Sequence, residues 1–209
     1  MCDDIVLMAE SPEALQSMLD VVFKYSQQYR FKFNQDKSNV MIFGMRDTSK
    51  VRKFYLGEVE LKIVDKYKYL GLVVDQNFTW KQHVENLSRK AKQKMRGIFG
   101  LGVGKGLSVR ALLRGWEVLV RPLLEFSCEI WGEKPWKQLE NLQGEMGRRV
   151  LGVTRTTTKE VIQGELGLIS ISSRRILLRL RFWEKLIRMK EKHKVDWSGR
   201  YISRGELNL

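Results

Sequence analysis

The periodicity of apolar residues changes once along the chain, near residue 80, and that change limits the fold more than any other feature. Before it, apolar residues come in short runs broken by turn formers; after it, they recur every three or four positions. The first pattern asks for a sheet with helical cover, the second for helices packed on one another. The expected fold class is therefore α+β, with domains at 1–79 and 80–209.

In the first half, "IVLMA" (5–9) reads as a strand. Ser11 and Pro12 then start a helix, because Ser can cap free amides and Pro costs nothing at the first helical position. Leu15, Met18, Leu19, Val22 and Phe23 follow helical spacing. "NVMIFG" (39–44) reads as a strand, "KFYLGEVELKIVD" (53–65) as a hairpin about Gly57 and Glu58, and "KYKYLGLVV" (66–74) as one more strand.

In the second half, Trp80, Val84, Leu87, Ala91, Met95 and Ile98 recur at helical steps, with Arg89, Lys90, Lys92, Lys94 and Arg96 between them. This predicts a basic amphipathic helix ending in "GIFGLGVGKG", where the glycines argue for a flexible connection. The glycine run is not read as a phosphate loop, since Gly106 stands where such a loop needs Ser or Thr. Further helices are expected from Ser108 to about Trp131, kinked or broken at Pro122, then from Pro135 to Leu151 and from Ser172 to about Lys192. In the last of these, Ile176, Leu177, Leu180, Trp183, Leu186 and Ile187 form a stripe expected to pack, ringed by Arg174, Arg175, Arg179 and Arg181. Trp80, Trp116 and Trp183 fall on apolar stripes and are expected in the core.

Charge follows the same division. The chain has 38 Lys+Arg against 24 Asp+Glu, a net +14, and its first 79 residues hold 11 of each sign, so residues 80–209 carry the whole excess. Such a field attracts a polyanion, and nucleic acid is the expected partner, with an anionic membrane surface as the competing reading of basic helices. Charges interrupt every stretch before it reaches about 18 apolar residues, so no membrane span is expected. Cys2 and Cys128 give neither a disulfide framework nor, with two histidines, a zinc spacing; an intracellular protein of nucleus or cytoplasm is expected.

Asp3 and Asp4 stand directly before the first apolar run. Two carboxylates at a tight turn can hold Mg²⁺, and two such ions clamp the attacking and leaving oxygens of phosphoryl transfer. By themselves they read rather as an acidic, solvated N-terminus.

Taken in order, "CDDIVLMAES", "FNQDKSNVMIFG", "YKYLG", "FTWKQHVENLSRKAKQKM", "VLVRPLLEFSCEIWG" and "NLQGEMGRRVLG" resemble the C-terminal part of a non-LTR, LINE-type retrotransposon reverse transcriptase. The resemblance covers nearly the whole chain. It implies a partial palm sheet over 1–79 followed by an α-helical thumb and post-thumb region over 80–209. It makes Asp3 and Asp4 the palm carboxylates and Mg²⁺ ligands, Asp3 the direct one, with Lys37 a candidate general acid. Tyr69, Leu70 and Gly71 would hold the primer end, with an RNA template and a DNA primer as partners.

Lys37 reads otherwise as a surface lysine after a turn, and Tyr69 to Gly71 as an ordinary buried strand. Met1 stands where that family has an aromatic residue and Cys2 where it has alanine. The fingers and the strand bearing the other metal carboxylate would precede this point, so the chain alone is expected not to polymerise. Three functions remain open at this stage: part of a reverse transcriptase, a non-catalytic nucleic-acid-binding module built on the basic helices, and an inert retroelement relic.

Overall fold

The computed structural model describes residues 4–44, 52–102 and 106–193, and the chain divides into two compact units, 1–80 and 81–209. Asp3 and the centre of the glycine run, residues 103–105, lie outside the described residues. The structure is mixed α+β, and among the described residues the strands lie in the first unit.

Helix α1 (Pro12–Gln28) starts where the sequence indicates, with the Ser11 hydroxyl accepting from the Ala14 N–H at 3.2 Å. It covers a three-stranded sheet of β1 (Asn39–Val40), β2 (Phe54–Leu56) and β3 (Val59–Ile63) in the order β1-β3-β2, with β1 parallel and β2 antiparallel to β3. Leu19, Val40, Phe54, Leu56 and Leu61 form the core, flanked by Leu7, Leu15 and Phe23. The outer edge of β2 is closed by one side chain. Gln16 donates to the Tyr55 carbonyl and accepts from the Tyr55 N–H, both at 2.9 Å, so a strand edge that would attract another chain is satisfied by its own helix.

Two strand expectations need correction. "IVLMA" belongs to no ladder among the described residues, and Ile5, Val6 and Met8 are exposed. A strand is defined by a hydrogen-bonded neighbour, which sequence alternation alone does not supply. The run 66–74 is a hairpin rather than one strand: β4 (Lys66–Tyr69) pairs antiparallel with β5 (Leu72–Asp75). Leu70 and Gly71 between them take φ of +46° and +89°, the left-handed pair that a tight two-residue hairpin turn requires.

The second unit is helical. It contains α2 (Lys81–Gly102), α3 (Val109–Gly115), a π-helical turn (Trp116–Val120), α4 (Arg121–Glu125), α5 (Cys128–Trp131), α6 (Lys137–Leu151), α7 (Lys159–Leu166) and α8 (Ile171–His193). Val84, Leu87, Ala91, Met95 and Phe99 bury one face of α2, and Trp116, Val120, Leu124, Leu139, Leu142 and Met146 add to the core of this unit. Contrary to expectation, α2 does not stop at the glycine run but continues through Gly97 and Gly100. Pro122 does not break its helix either. The π-helical turn before it widens the backbone where the proline ring would meet the carbonyl four residues earlier, and the interruption falls at Ser127, with φ +49°.

Helix α8 departs furthest from the sequence reading. It turns Ile171 and Arg175 toward α5 and α6, and leaves Ile176, Leu177, Leu180, Trp183 and Ile187 exposed. Trp183 is 61% exposed, so it is not a core residue; Trp116, at 1%, is. The sequence showed one apolar stripe on α8 where two faces carry apolar groups, and the short α7 escaped it altogether.

Close packing of α6 on α7 depends on Gly147, where a Cβ would stand 2.1 Å from Ile162 Cγ2. Gly147→Ala is expected to destabilise the chain by about 1–3 kcal/mol, because overpacking outweighs the gain in helix propensity. Gly97→Ala, whose Cβ meets nothing within 4 Å, is expected to stabilise it by about 0.5–1 kcal/mol. Denaturant unfolding of both variants checks the contrast in sign.

Candidate nucleic-acid interface

Arg89, Lys90, Lys92, Lys94 and Arg96 are all exposed, because Ala91 and Met95 fix the opposite side of α2 in the core. Arg89, Lys92 and Arg96, separated by three and four residues, share one line along the helix. Beside them runs an open groove against α6. One cavity of about 500 Å³ is bordered by these three cations together with Glu85, Ser88, Gln93 and Gln138. A second, of about 180 Å³, adjoins Lys92, Arg96, Met95, Glu145 and Arg149. Arg149 is held by Glu145 at 2.9 Å and lies 5.5 Å from the centre of the Phe99 ring, so its charge is fixed on the α6 wall. A wall of three cations on α2 with one more, Arg149, on α6 can accept phosphates, with Glu85 and Glu145 at the margins.

Arg149 was missed from sequence. The signal was present in "GRRVLG", whose two arginines separate in the structure: Arg148 donates through Nε and Nη2 to the Thr157 carbonyl at 3.0 and 2.8 Å, binding the loop before α7 to α6, while Arg149 turns to the groove.

The arginines of α8 divide in the same way. Arg174 grips Glu125 with both ends of its guanidinium, Nε to Oε1 and Nη2 to Oε2, the latter at 3.2 Å. This pairing raises its already high pKa. Arg179 is half-buried and Arg181 exposed. Arg175 must be removed from the expected contact set: it is fully buried, with its guanidinium 5.2 Å from the centre of the Trp131 ring. Its three nitrogens have no hydrogen-bond partner among the described residues. Burial lowers its pKa, opposed by Glu140 and by Cys128. Burial likewise pushes the Cys128 thiol up to about 11, so it is a neutral neighbour at pH 7.

The expected polymerase residues lie in the first unit. Asp4 is exposed, in a segment outside any ladder among the described residues. Among the described residues, which do not include Asp3, no group of three or more His, Cys, Asp or Glu could hold a metal ion. Lys37 closes a 3₁₀ turn (Gln35–Lys37), where its N–H approaches the Asn34 side-chain oxygen at 3.3 Å. Its carbonyl accepts from the Tyr67 hydroxyl at 2.9 Å, which ties this turn to β4. Tyr69 is half-buried at the end of β4, while Leu70 and Gly71 form the exposed tip.

The segment after β5 is held by one carboxylate. Asp75 accepts from the N–H groups of Asn77, Thr79 and Trp80 and from the Thr79 hydroxyl, all within 3.1 Å. Partial burial alone would raise its pKa, but the bonds from Thr79, Asn77 and Trp80 outweigh this and hold it below the usual carboxylate value.

No protein-family model matches the chain, and no solved structure matches it. Among curated proteins the chain is similar to the probable RNA-directed DNA polymerase from transposon X-element of Drosophila melanogaster, 21% identical over 166 residues. This match takes in 76% of the chain and 18% of the polymerase. The RNA-directed DNA polymerase from mobile element jockey of Drosophila funebris is 24% identical over 162 residues, 72% of the chain and 17% of that protein. An uncharacterized transposon-derived protein of Caenorhabditis elegans is 24% identical over 165 residues, 76% of the chain and 57% of that protein. The chain thus spans less than a fifth of the length of the two polymerases.

Two measurements follow from these arginines and from Asp75. Arg175→Met is expected to leave nucleic-acid affinity unchanged and to raise stability by about 1–2 kcal/mol, since it removes an unpaired buried cation, whereas Arg174→Met lowers stability by leaving Glu125 unpaired. Thermal melts and binding titrations of the two variants separate these outcomes. Because the folded pKa of Asp75 is depressed, its contribution is present above the unfolded value of about 3.9 and lost as pH falls through the lower folded value. The stability gap between the parent chain and Asp75→Ala therefore closes in acid, as denaturant midpoints measured against pH will register.

Proposed function

From its kinship with the RNA-directed DNA polymerases of non-LTR mobile elements, we propose that this chain supplies the palm-to-thumb part of such an enzyme and binds nucleic-acid backbone through the groove between α2 and α6. The observation that carries this reading is the line of Arg89, Lys92 and Arg96 on one wall facing Arg149 on the other. Phosphate neutralisation needs clustered cations and a groove of suitable width, and it releases counterions, so affinity must fall steeply with salt. Arg179 and Arg181 extend the positive surface along α8.

In the same reading residues 1–79 are a palm remnant and 80–209 a thumb-like region. RNA template and DNA primer are the class of partner, and Asp3, Asp4 and Lys37 belong to the polymerase centre of the lineage. Tyr69, Leu70 and Gly71 present a backbone turn to the primer end. Backbone binding is independent of that centre: Asp3→Asn with Asp4→Asn leaves affinity for nucleic acid unaltered.

The test is the salt dependence of binding to a short RNA–DNA hybrid. Replacing Arg89, Lys92 and Arg96 together by alanine should reduce the slope of log affinity against log salt by about 2–3, near one unit per lost phosphate contact. All three side chains are exposed, so the thermal melt should not move. An unchanged slope would place the contact elsewhere and remove the groove from the proposal.

A further inference from the structure

Helix α8 is apolar on two opposite faces. Ile171 and Arg175 are buried toward α5 and α6, with Leu178 half-buried on the same side. Opposite them Ile176, Leu180, Trp183 and Ile187 recur at steps of four, three and four, and are 51%, 59%, 61% and 49% exposed. That spacing is the a/d seam of a coiled coil: four apolar layers along one narrow line. These four layers carry no cation; the next step of the line, three residues on, is Lys190. Arg181, Lys185 and Arg188 fall at positions turned away from the four layers.

We propose that this stripe is a self-association surface, on which α8 of a second copy lies parallel and in register. The residues beside the seam select the occupant. Leu177 and Leu186 widen the apolar strip, while Arg179 and Glu184 flank it with one charge of each sign. In a parallel, in-register pair, Arg179 of one copy faces Glu184 of the other five residues further on, and symmetry makes that contact twice. In an antiparallel pair the same side chains face Leu186 and Leu177 instead. Beside the four apolar layers an acidic helix would find no excess of positive charge, and within those layers nucleic acid would find no cation. Glu184 pairs with Arg188 on its own helix, but both are well exposed, and so weak a pair can be exchanged.

The experiment is sedimentation equilibrium of the nuclease-treated full chain in high salt, over about 1–100 µM, where a contact of this size should titrate. A monomer–dimer equilibrium is expected. Leu180→Glu with Trp183→Glu should abolish it while leaving the melt of the monomer, measured in dilute solution below the dissociation constant, where it was, since both side chains are exposed in the single chain. Arg179→Glu should weaken association about tenfold, and adding Glu184→Arg should restore it. Leu180→Cys, made with Cys2→Ser, should cross-link to itself in the parallel register; Cys128 is buried and will not compete. A chain that stays monomeric throughout overturns the proposal. So does a dimer that survives Leu180→Glu with Trp183→Glu, or one in which Arg179→Glu is not rescued by Glu184→Arg.

Discussion

The second unit depends on α6. Leu139, Leu142, Gln143, Gly144, Met146, Gly147 and Val150 are buried along it, and α2, α3, α7 and α8 all pack against it. A helix enclosed on so many sides cannot present polar groups freely, and those on its packed faces are used. Gln143 donates to the Ile169 carbonyl at 2.9 Å and accepts from Gln163 at 3.2 Å. Glu140 accepts from the Ser172 N–H at 2.6 Å, so its carboxylate meets the positive end of α8. Because α6 fixes where α2 and α8 lie, it also decides which of their cations reach solvent.

That control matters for function, because arginine serves several different purposes here. Arg174 is half of an ion pair, Arg148 ties a loop, Arg175 is a buried body stacked on Trp131, and Arg149 is a groove wall. Of these, Arg149 is the exposed one, and its pair with Glu145 lies at the surface, so it can meet a phosphate with the least loss. The excess positive charge of residues 80–209 is therefore a poor guide to contact surface taken as a sum. Its useful part is the fraction that packing leaves outward on α2 and the nearest turn of α6.

Legibility in the sequence followed the range of the interaction concerned. The Ser11 cap, the Gly57–Glu58 hairpin and the buried face of α2 are set by residues a few positions apart, and each could be read directly. The β4–β5 turn was also local, but its one sign, Gly71, was outweighed by an unbroken run of strand formers. Continuation of α2 through its glycines was hidden because propensity is a weak prior, and packing of Met95 and Phe99 outweighs about 1 kcal/mol per glycine. What the sequence could not supply was the choice between faces of α8. Both are apolar enough to pack, and the burial of Arg175 rather than Leu180 is decided by Trp131, far away in the chain.

Binding and catalysis make different demands on these elements. Metal-dependent transfer needs carboxylates held in a fixed relation to one another, and such rigidity comes from strands locked in a ladder. Asp4 is exposed on a segment outside any ladder among the described residues, so nothing described there fixes its direction. Backbone binding is more tolerant: it needs charge density along a line, which a single well-packed helix supplies. Ala91 and Met95, buried in the core, hold the Arg89–Arg96 line in place. The structure thus places its firmest geometry under the Arg89–Arg96 line, through the packing of α2 against α6, irrespective of what Asp3 and Asp4 do.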